Sequence, residues 1–248
     1  MRIGVFDSGI GGLSVLKPLL EARFFDEVVY YGDTARVPYG VKDKETIVRF
    51  SLEALEFFEP FNLDMLIIAC NTVSAYALRE LRARTKMPIF GVIDAGVSAV
   101  SKTLQNKNDE ILIIATQATI KSKRYQNLLE KLGFSHIKAL STGLFVPMVE
   151  EGIFEGKIVE SAFEYYFSSL QSKPKALILG CTHFPLLAKS LQEYFGEDIL
   201  LIHSGQALAD QLERKFHLKR KNKKTKVSYY ASSDIKKLKE KAKIWLKH

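Results

Sequence analysis

The stretch Leu63-Asp64-Met65-Leu66-Ile67-Ile68-Ala69-Cys70-Asn71-Thr72 sets one of the chain's two cysteines directly after a short apolar run. The other cysteine has the same setting in Lys175-Ala176-Leu177-Ile178-Leu179-Gly180-Cys181-Thr182-His183. Both runs have the length of a buried strand, and a segment with helical character follows each of them. Both thiols are therefore predicted to lie at the carboxyl ends of parallel strands, which is where α/β folds bind their ligands.

Apolar runs of strand length alternate with helix-like segments along the whole chain. The predicted strands span residues 3–6, 28–31, 65–69, 89–93, 111–115, 137–140, 176–179, 199–202 and 227–230. Helices are expected at 73–85 and 185–195, after the two cysteines. We expect Pro18 to lie in the first turn of the first helix and Pro60 to end a later one. The alternation is typical of parallel sheets flanked by helices.

Two loops that follow predicted strands recur further along the chain after nearly the same number of residues, which indicates an internal repeat. Cys181 lies 111 residues after Cys70, and Thr116 lies 109 residues after Asp7. We predict an α/β fold with two similar parallel-sheet domains that face each other with pseudo-twofold symmetry and hold the active site between them. The last strand and helix should return to the first unit. The predicted domains are 1–95 with 208–248, and 96–207.

Composition and length describe an ordinary globular chain. Of 248 residues, 47% are hydrophobic and 26% are charged, and no apolar run approaches the length of a membrane span. The first residues lack a signal-peptide pattern, so we expect a cytoplasmic protein that does not engage membranes. Two cysteines in such a chain argue against a disulfide scaffold.

The net charge of +8 is concentrated in one segment. Eight lysines and arginines lie between Arg214 and Lys226 with no acid among them, and they equal the whole excess. We favour a solvated connector over a binding patch for this segment, and therefore expect no nucleic-acid partner.

Two glycine-containing loops follow the first two predicted strands. Asp7-Ser8-Gly9-Ile10-Gly11-Gly12 can bring its backbone close to an anion, but its spacing fits neither a dinucleotide fingerprint nor a Walker loop. In the loop 32–40, Pro38 and Gly40 fit a tight turn that presents Tyr39 and a backbone N–H.

A single buried cysteine is usually a small hydrophobic residue, but two in matching positions with polar neighbours favour chemistry. Metal binding has little support, because there is no C-x-x-C and only His183 lies near either thiol in sequence. A Cys-His hydrolase would leave the second thiol without a role.

Taken together, these residues resemble the glutamate racemase family, the cofactor-independent amino-acid racemases. The matching pieces span nearly the whole chain in the family's order: Gly4-Val5-Phe6-Asp7-Ser8-Gly9-Ile10-Gly11-Gly12, Pro38-Tyr39-Gly40, Ala69-Cys70-Asn71-Thr72 and Gly180-Cys181-Thr182-His183-Phe184-Pro185. One departure is Ala115, where the family more often carries glycine.

The resemblance implies interconversion of L- and D-glutamate with no cofactor and no metal. It implies that Cys181 is the base for L-glutamate and Cys70 the base for D-glutamate. Asp7 beside Cys70, and His183 beside Cys181 with Glu150 behind it, would assist the proton transfers. The implied substrate-binding residues are Asp7, Ser8, Tyr39, Gly40, Asn71, Thr72, Thr116, Thr119, Thr182 and His183.

Such a mechanism needs a thiolate at neutral pH. Lowering a cysteine pKa from about 8.5 to about 7 takes roughly 2 kcal/mol, and a helix N-terminus supplies about 0.3–1 kcal/mol. We expect a nearby proton acceptor to supply the rest.

The resemblance also implies a homodimer and a role of D-glutamate in peptidoglycan synthesis, cell wall biogenesis and cell shape. Three alternatives stay open: a racemase of aspartate or another amino acid, a non-catalytic protein that binds a small anion, and a nucleic-acid binder that uses the segment 214–226.

Overall fold

The computed structural model describes residues 1–247. Its strands are β1 (Arg2–Asp7), β2 (Glu27–Gly32), β3 (Met65–Ile68), β4 (Ile89–Gly91), β5 (Ile111–Ala115), β6 (Ile137–Ser141), β7 (Ala176–Gly180), β8 (Leu200–His203) and β9 (Lys226–Ala231). All nine predicted strands are confirmed. The fourth is shorter than predicted, because Val92 and Ile93 already belong to the helix that follows.

The strands form two parallel sheets, and one order recurs in both. The first sheet has the order β4-β3-β1-β2-β9, and the second has the order β6-β5-β7-β8. In the first sheet, β1 pairs with β2 and β3, and β4 pairs with the outer side of β3. In the second sheet, β5 pairs with β6 and β7 in the same way, and β8 pairs with the outer side of β7. The predicted two-sheet α/β fold is therefore confirmed, and β1 corresponds to β5 as β3 corresponds to β7.

The helices connect these strands and cover the sheets. They are α1 (Leu13–Ala22), α2 (Lys44–Phe58), α3 (Asn71–Tyr76), α4 (Leu78–Arg84), α5 (Val92–Thr103), α6 (Gln117–Lys121), α7 (Arg124–Lys131), α8 (Phe145–Glu150), α9 (Lys157–Phe167), α10 (Ala188–Phe195), α11 (Ser204–Phe216) and α12 (Ile235–Trp245). The strands β1, β3, β5 and β7 are almost fully buried, so both sheets have apolar cores on their two faces.

Three helix predictions need correction. Pro18 is the sixth residue of α1 and not in its first turn, because the turn over residues 10–12 lets the helix begin at Leu13. The helix expected at 73–85 begins earlier and is divided at Ala77, whose φ is −108°. The helix expected at 185–195 begins as a 3₁₀ turn, Phe184–Leu187, and continues as α10. Pro60 follows α2, as expected.

The chain passes between the two sheets through α5 and α11, which pack against each other. An added Cβ on Gly96 of α5 would lie 2.9 Å from the Ser204 Oγ of α11. After α11, strand β9 pairs with β2 and returns the chain to the first sheet, as predicted. The division into 1–95 with 208–248 and 96–207 stays a prediction, and residue 248 lies outside the described residues.

The basic segment forms the end of α11, a connection and the start of β9. Within it Lys221 Nζ lies 2.5 Å from Asp26 Oδ2. Across residues 1–247, no helix is both long and apolar enough to span a membrane.

Candidate active site

The loops that follow β1, β2, β3, β5 and β7 meet in a cavity between the two sheets. The cavity encloses about 20 Å³, which is room for about one water molecule. Ten of the predicted site residues line it: Ser8, Tyr39, Gly40, Cys70, Asn71, Thr72, Thr116, Cys181, Thr182 and His183. The other three, Asp7, Thr119 and Glu150, contact residues of this lining.

Cys70 lies directly before α3 and is 5% exposed. Its Sγ is 3.3 Å from the Ser8 Oγ. Burial and the nearby Asp7 carboxylate raise the pKa of the Cys70 thiol to about 12. Burial and the Asp7 charge outweigh the Ser8 and Val73 hydrogen bonds that favour the thiolate, so Cys70 is held as a thiol.

Asp7 ends β1 and is completely buried. Its Oδ2 accepts a hydrogen bond from the Gly9 N–H at 3.0 Å, and its Oδ1 has no partner within residues 1–247. Burial raises the pKa of this carboxyl, against the lowering effects of His183 and of hydrogen bonds. An unpartnered buried oxygen with a raised pKa can take up a proton.

Cys181 follows β7 and has a basic partner instead of an acidic one. Its Sγ is 3.8 Å from His183 Nδ1, and His183 Nε2 is 2.7 Å from Glu150 Oε1. Burial lowers the pKa of His183, but its hydrogen bonds to Cys181 and Glu150 outweigh this and raise that pKa to about 10. Burial raises the pKa of Glu150, but the hydrogen bond to His183 and the positive charges of His183, Lys237 and Lys241 together outweigh burial and lower that pKa. The pair can therefore hold an imidazolium next to the Cys181 sulfur.

Three threonine hydroxyls from the two sheets form a cluster beside the thiols. Thr72, Thr116 and Thr119 lie with their Oγ1 atoms 3.0 Å apart in every pair. Together with the Asn71 amide they offer neutral donors to an anion. The cavity lining contains no lysine or arginine within the described chain.

Glycines allow the half of the molecule that carries the first sheet to approach closely the half that carries the second sheet around the cavity. A Cβ on Gly11 would lie 2.3 Å from Thr182 Oγ1 and 2.6 Å from the His183 ring, and a Cβ on Gly40 would lie 2.4 Å from Thr116 Cβ. The Ser14 hydroxyl donates to the Thr182 carbonyl oxygen at 2.6 Å. The two halves are therefore in direct contact over the thiols.

Comparison with known proteins identifies the family. A family model for Asp/Glu/hydantoin racemases matches residues 14–212. Glutamate racemase from Campylobacter jejuni is 64% identical over 99% of this chain and 98% of its own length. Its crystal structure has a TM-score of 0.98 and covers 100% of this chain and 98% of that one. A glutamate racemase structure from Francisella tularensis in complex with D-glutamate has a TM-score of 0.88 at 34% identity, and covers 100% of this chain and 94% of that one.

The chain belongs to the glutamate racemase family. It is an amino-acid racemase and therefore an isomerase. The resemblance seen in the sequence motifs is confirmed at the level of the whole chain. The role of each site residue stays a prediction.

Two buried polar residues near the racemase site were not singled out from the sequence. Asp33 follows β2 and accepts hydrogen bonds from Tyr39, from Arg36 Nε at 2.6 Å and from Ser232 Oγ at 2.7 Å. Tyr125 of α7 donates to Asn71 Oδ1 at 2.7 Å. Asp33 could have been found, because it follows a strand at the same sheet edge as Asp7, whereas Tyr125 carries no local signal.

This racemase also has a larger cavity away from the thiols. It encloses about 960 Å³ and is lined by parts of α1, α5, β8, α11 and α12, including Trp245. Neither cysteine lines it. Trp245 joins the two regions, because its ring lies edge-on to the His183 ring with centroids 6.2 Å apart. Among residues 1–247, no cluster of three or more potential ligands could hold a metal ion.

Proposed function

We propose that this racemase interconverts L- and D-glutamate by moving protons between the substrate and two thiols on opposite sides of the α-carbon. The observation that carries the proposal is that Cys70 and Cys181 line one cavity in different protonation environments. Cys70 has a raised pKa and so rests as a thiol. Cys181 lies beside a histidine that stays protonated at neutral pH.

In the L-to-D direction, the Cys181 thiolate takes the α-proton of L-glutamate and becomes a thiol. The electron pair left on the α-carbon delocalises into the α-carboxylate, and the carbon becomes planar. The Cys70 thiol then gives its proton to the opposite face and becomes a thiolate. In the D-to-L direction the same two steps run in reverse.

The two thiols end each turnover in exchanged protonation states and must be reset. Asp7 is suited to carry a proton to or from Cys70, because its buried Oδ1 is unpartnered and its pKa is raised. Cys181 returns its proton to water when the site opens, and the His183 imidazolium, held by Glu150, then stabilises the re-formed thiolate. This division of roles supports both directions of the reaction.

Neutral donors would hold the two substrate carboxylates. The hydroxyls of Thr72, Thr116 and Thr119, the Asn71 amide and nearby backbone N–H groups provide them, while Ser8, Tyr39, Gly40 and Thr182 complete the enclosure. Hydrogen bonds to an ionised carboxylate in a closed site are strong, and they stabilise the charge that develops on it.

Substrate entry requires the site to open, because a cavity of about 20 Å³ does not admit an amino acid. We propose that residues 1–95 with 208–248 move relative to residues 96–207. Closure then excludes water from the carbanion-like state.

From the family resemblance we further propose that the D-glutamate supplies peptidoglycan synthesis and thereby cell wall biogenesis and cell shape. The enzyme would act in the cytoplasm and as a homodimer. Growth of a depleted strain that is restored by added D-glutamate tests the first point, and sedimentation of the purified protein tests the last.

The decisive experiment follows each glutamate enantiomer in deuterated water. We expect inversion, with deuterium entering the product enantiomer at early times while the remaining substrate stays protiated, because each face has its own monoprotic base. Binding without deuterium exchange would instead identify a protein that only binds anions. Faster inversion of aspartate than of glutamate would assign another substrate.

Cys70→Ser and Cys181→Ser test the two roles. Each variant should lose racemisation by at least about 10³-fold, since a serine hydroxyl is a far weaker acid than a thiol. Any residual deuterium exchange should enter L-glutamate in Cys70→Ser and D-glutamate in Cys181→Ser. The reverse pattern would exchange the assigned roles, and undiminished racemisation in either variant would contradict the mechanism.

A further inference from the structure

Tyr125 connects the two thiol loops although it does not line the cavity. It is buried, and its hydroxyl donates to Asn71 Oδ1 at 2.7 Å, directly beside Cys70 in sequence. Its ring lies against Gly180, the residue before Cys181, where an added Cβ would be 3.4 Å from Tyr125 Cε2. One side chain from α7 thus contacts both catalytic loops.

The hydrogen bonds around Tyr125 have one consistent direction. Its hydroxyl is also 3.1 Å from Ser204 Oγ. A phenol has one proton, so when Tyr125 donates to Asn71 it must accept from Ser204. Burial raises the pKa of Tyr125, which keeps the phenol protonated and able to donate at any working pH.

This direction determines what Asn71 presents to the cavity. A primary amide has an oxygen that accepts and a nitrogen that donates. Because Oδ1 is held by Tyr125, Nδ2 is left on the other side of the amide, and within residues 1–247 it makes no hydrogen bond. Asn71 lines the cavity between the thiols.

We propose that Tyr125 is a positioning residue that holds Asn71 with its NH₂ group toward the cavity, where it donates to a substrate carboxylate. The inference deepens the proposed function and rests on it. Without the Tyr125 hydroxyl, the Asn71 amide is free to rotate. Its carbonyl oxygen can then turn toward the substrate carboxylate, and the two negative oxygens repel each other.

Tyr125→Phe tests this by removing the hydroxyl and keeping the ring. We expect KM for glutamate to rise and kcat/KM to fall by about 10–100-fold, the range for a lost hydrogen bond to a charged group. The pH profile should keep its shape, because Tyr125 does not titrate in the working range. Tyr76→Phe is the matched control: Tyr76 ends α3, the helix that begins at Asn71, and within residues 1–247 its hydroxyl makes no hydrogen bond. Its kinetics should be unchanged.

A double-mutant cycle separates positioning from a general structural effect. In an Asn71→Ala background, Tyr125→Phe should change kcat/KM by less than about twofold, because the group that it orients is gone. Effects that multiply independently, or wild-type kinetics for Tyr125→Phe, would overturn the proposal.

A measurement on the unaltered protein covers the case in which a variant folds poorly. With ¹⁵N-labelled asparagine, the NMR signals of the Asn71 side-chain NH₂ should shift when glutamate is added, and unchanged signals would overturn the proposal. Failure of the proposed function is distinguishable, because it would appear as a wild-type protein that does not racemise glutamate. The cycle would then be measured with the amino acid that the enzyme does convert.

Discussion

At the scale of single residues, the two thiols occupy equivalent positions but have opposite chemical neighbours. Cys70 lies beside the Asp7 carboxyl, and Cys181 lies beside the His183 ring. A carboxylate disfavours a nearby thiolate, whereas an imidazolium favours it. An enzyme whose substrate and product are mirror images therefore need not have symmetric bases; it needs one proton donor and one acceptor at rest.

Asp7→Asn should lower activity and raise stability. Losing the proton acceptor beside Cys70 should reduce kcat by about 10²–10⁴-fold. Since burial raises the folded-state pKa of Asp7 above 3.8, the folded protein binds this proton more tightly than the unfolded chain. Wild-type stability is therefore lost as pH rises above 3.8, and the asparagine variant escapes this loss. Its Tm should exceed that of wild type by a few degrees at pH 7 and match it near pH 3.

Asp33→Asn is the matched control for that prediction. Asp33 is as buried as Asp7 and lies at the same edge of the first sheet, but it is paired with Arg36 and accepts hydrogen bonds from Tyr39 and Ser232. Removing its charge breaks the ion pair with Arg36, which keeps only its pair with Glu53, and weakens the hydrogen bonds from Tyr39 and Ser232, so Tm should fall. Melting curves of both variants check the contrast, and a lower Tm in both would contradict the account of Asp7.

Glu150→Gln should move the alkaline limb of the pH profile to lower pH. Glu150 helps to raise the pKa of His183 from 6.5 to about 10, so its loss lowers that pKa. A His183 ring with a lower pKa is less protonated at alkaline pH, so kcat/KM should fall more at pH 8 than at pH 6, although the hydrogen bond to Cys181 still raises that pKa. Equal losses at both pH values would indicate that Glu150 acts only on packing.

The ion pair between His183 and Glu150 also predicts how the stability of the folded protein depends on pH. A histidine with a raised folded-state pKa contributes stability that is complete below pH 6.5 and is lost as pH rises toward 10. The difference in Tm between wild type and Glu150→Gln should therefore shrink across this window. Thermal melts at pH 6, 8 and 10 measure it.

At the scale of elements, the strands were predictable because each one is a buried apolar run. In a parallel sheet covered on both faces, burial alone defines the strand, so Met65–Ile68 and Ala176–Gly180 are visible without any partner. The Cys70 and Cys181 positions follow from the ends of these runs. Helix starts were less predictable, because the turn that sets α1 depends on local backbone hydrogen bonds that shift Pro18 to its sixth position.

Parts of the site depend on contacts between residues far apart in sequence. Tyr125 and Asn71 are 54 residues apart, and no motif links them. Glu150 was nominated through the family resemblance, since nothing in its local sequence points to His183, 33 residues away. The first pair depends on how the two sheets face each other, and the second depends on how α8 packs against the loop after β7; periodicity encodes neither.

The packing of α1 on α11 is tight enough to predict the effect of one methyl group. A Cβ on Gly205 would lie 2.8 Å from the Val15 Cα and 3.2 Å from the Ser14 carbonyl oxygen, which are backbone atoms that cannot turn aside. Gly205→Ala should therefore cost about 1–3 kcal/mol, more than the gain of about 0.5–1 kcal/mol in helix propensity. Gly143→Ala is the control, because nothing lies within 4 Å of its added Cβ; it should change stability by less than about 0.5 kcal/mol. Urea denaturation compares the two.

At the scale of the whole molecule, the closed site depends on contacts between the two sheets' loops. Gly11 faces Thr182 and His183, and Gly40 faces Thr116, all at distances that leave no room for a side chain. The enclosed volume of about 20 Å³ exists only while these surfaces touch. Catalysis by this racemase therefore requires an opening large enough for an amino acid and a return to contact in every turnover.

The chain's single tryptophan can report this motion. Trp245 ends α12, which follows β9 of the first sheet, and its ring contacts His183, which follows β7 of the second sheet. The pKa of His183 near 10 keeps the ring protonated at neutral pH, and an imidazolium in contact quenches indole emission. Closure should lower Trp245 fluorescence, and opening should raise it.

Gly11→Ala should hold the two halves apart. Its Cβ would lie 2.3 Å from Thr182 Oγ1, so the closed contact cannot form without displacing Thr182 and His183. We expect brighter Trp245 emission than in wild type, no decrease when glutamate is added, and a loss of kcat/KM of about 100-fold or more, since small misplacements of reacting groups are costly. Gly9→Ala provides the comparison in the same loop: its Cβ would lie 3.2 Å from Val37 Cγ2, which belongs to the same half, so the glutamate-dependent decrease should persist. A Gly11→Ala protein that responds to glutamate as wild type does would contradict closure as a condition for catalysis.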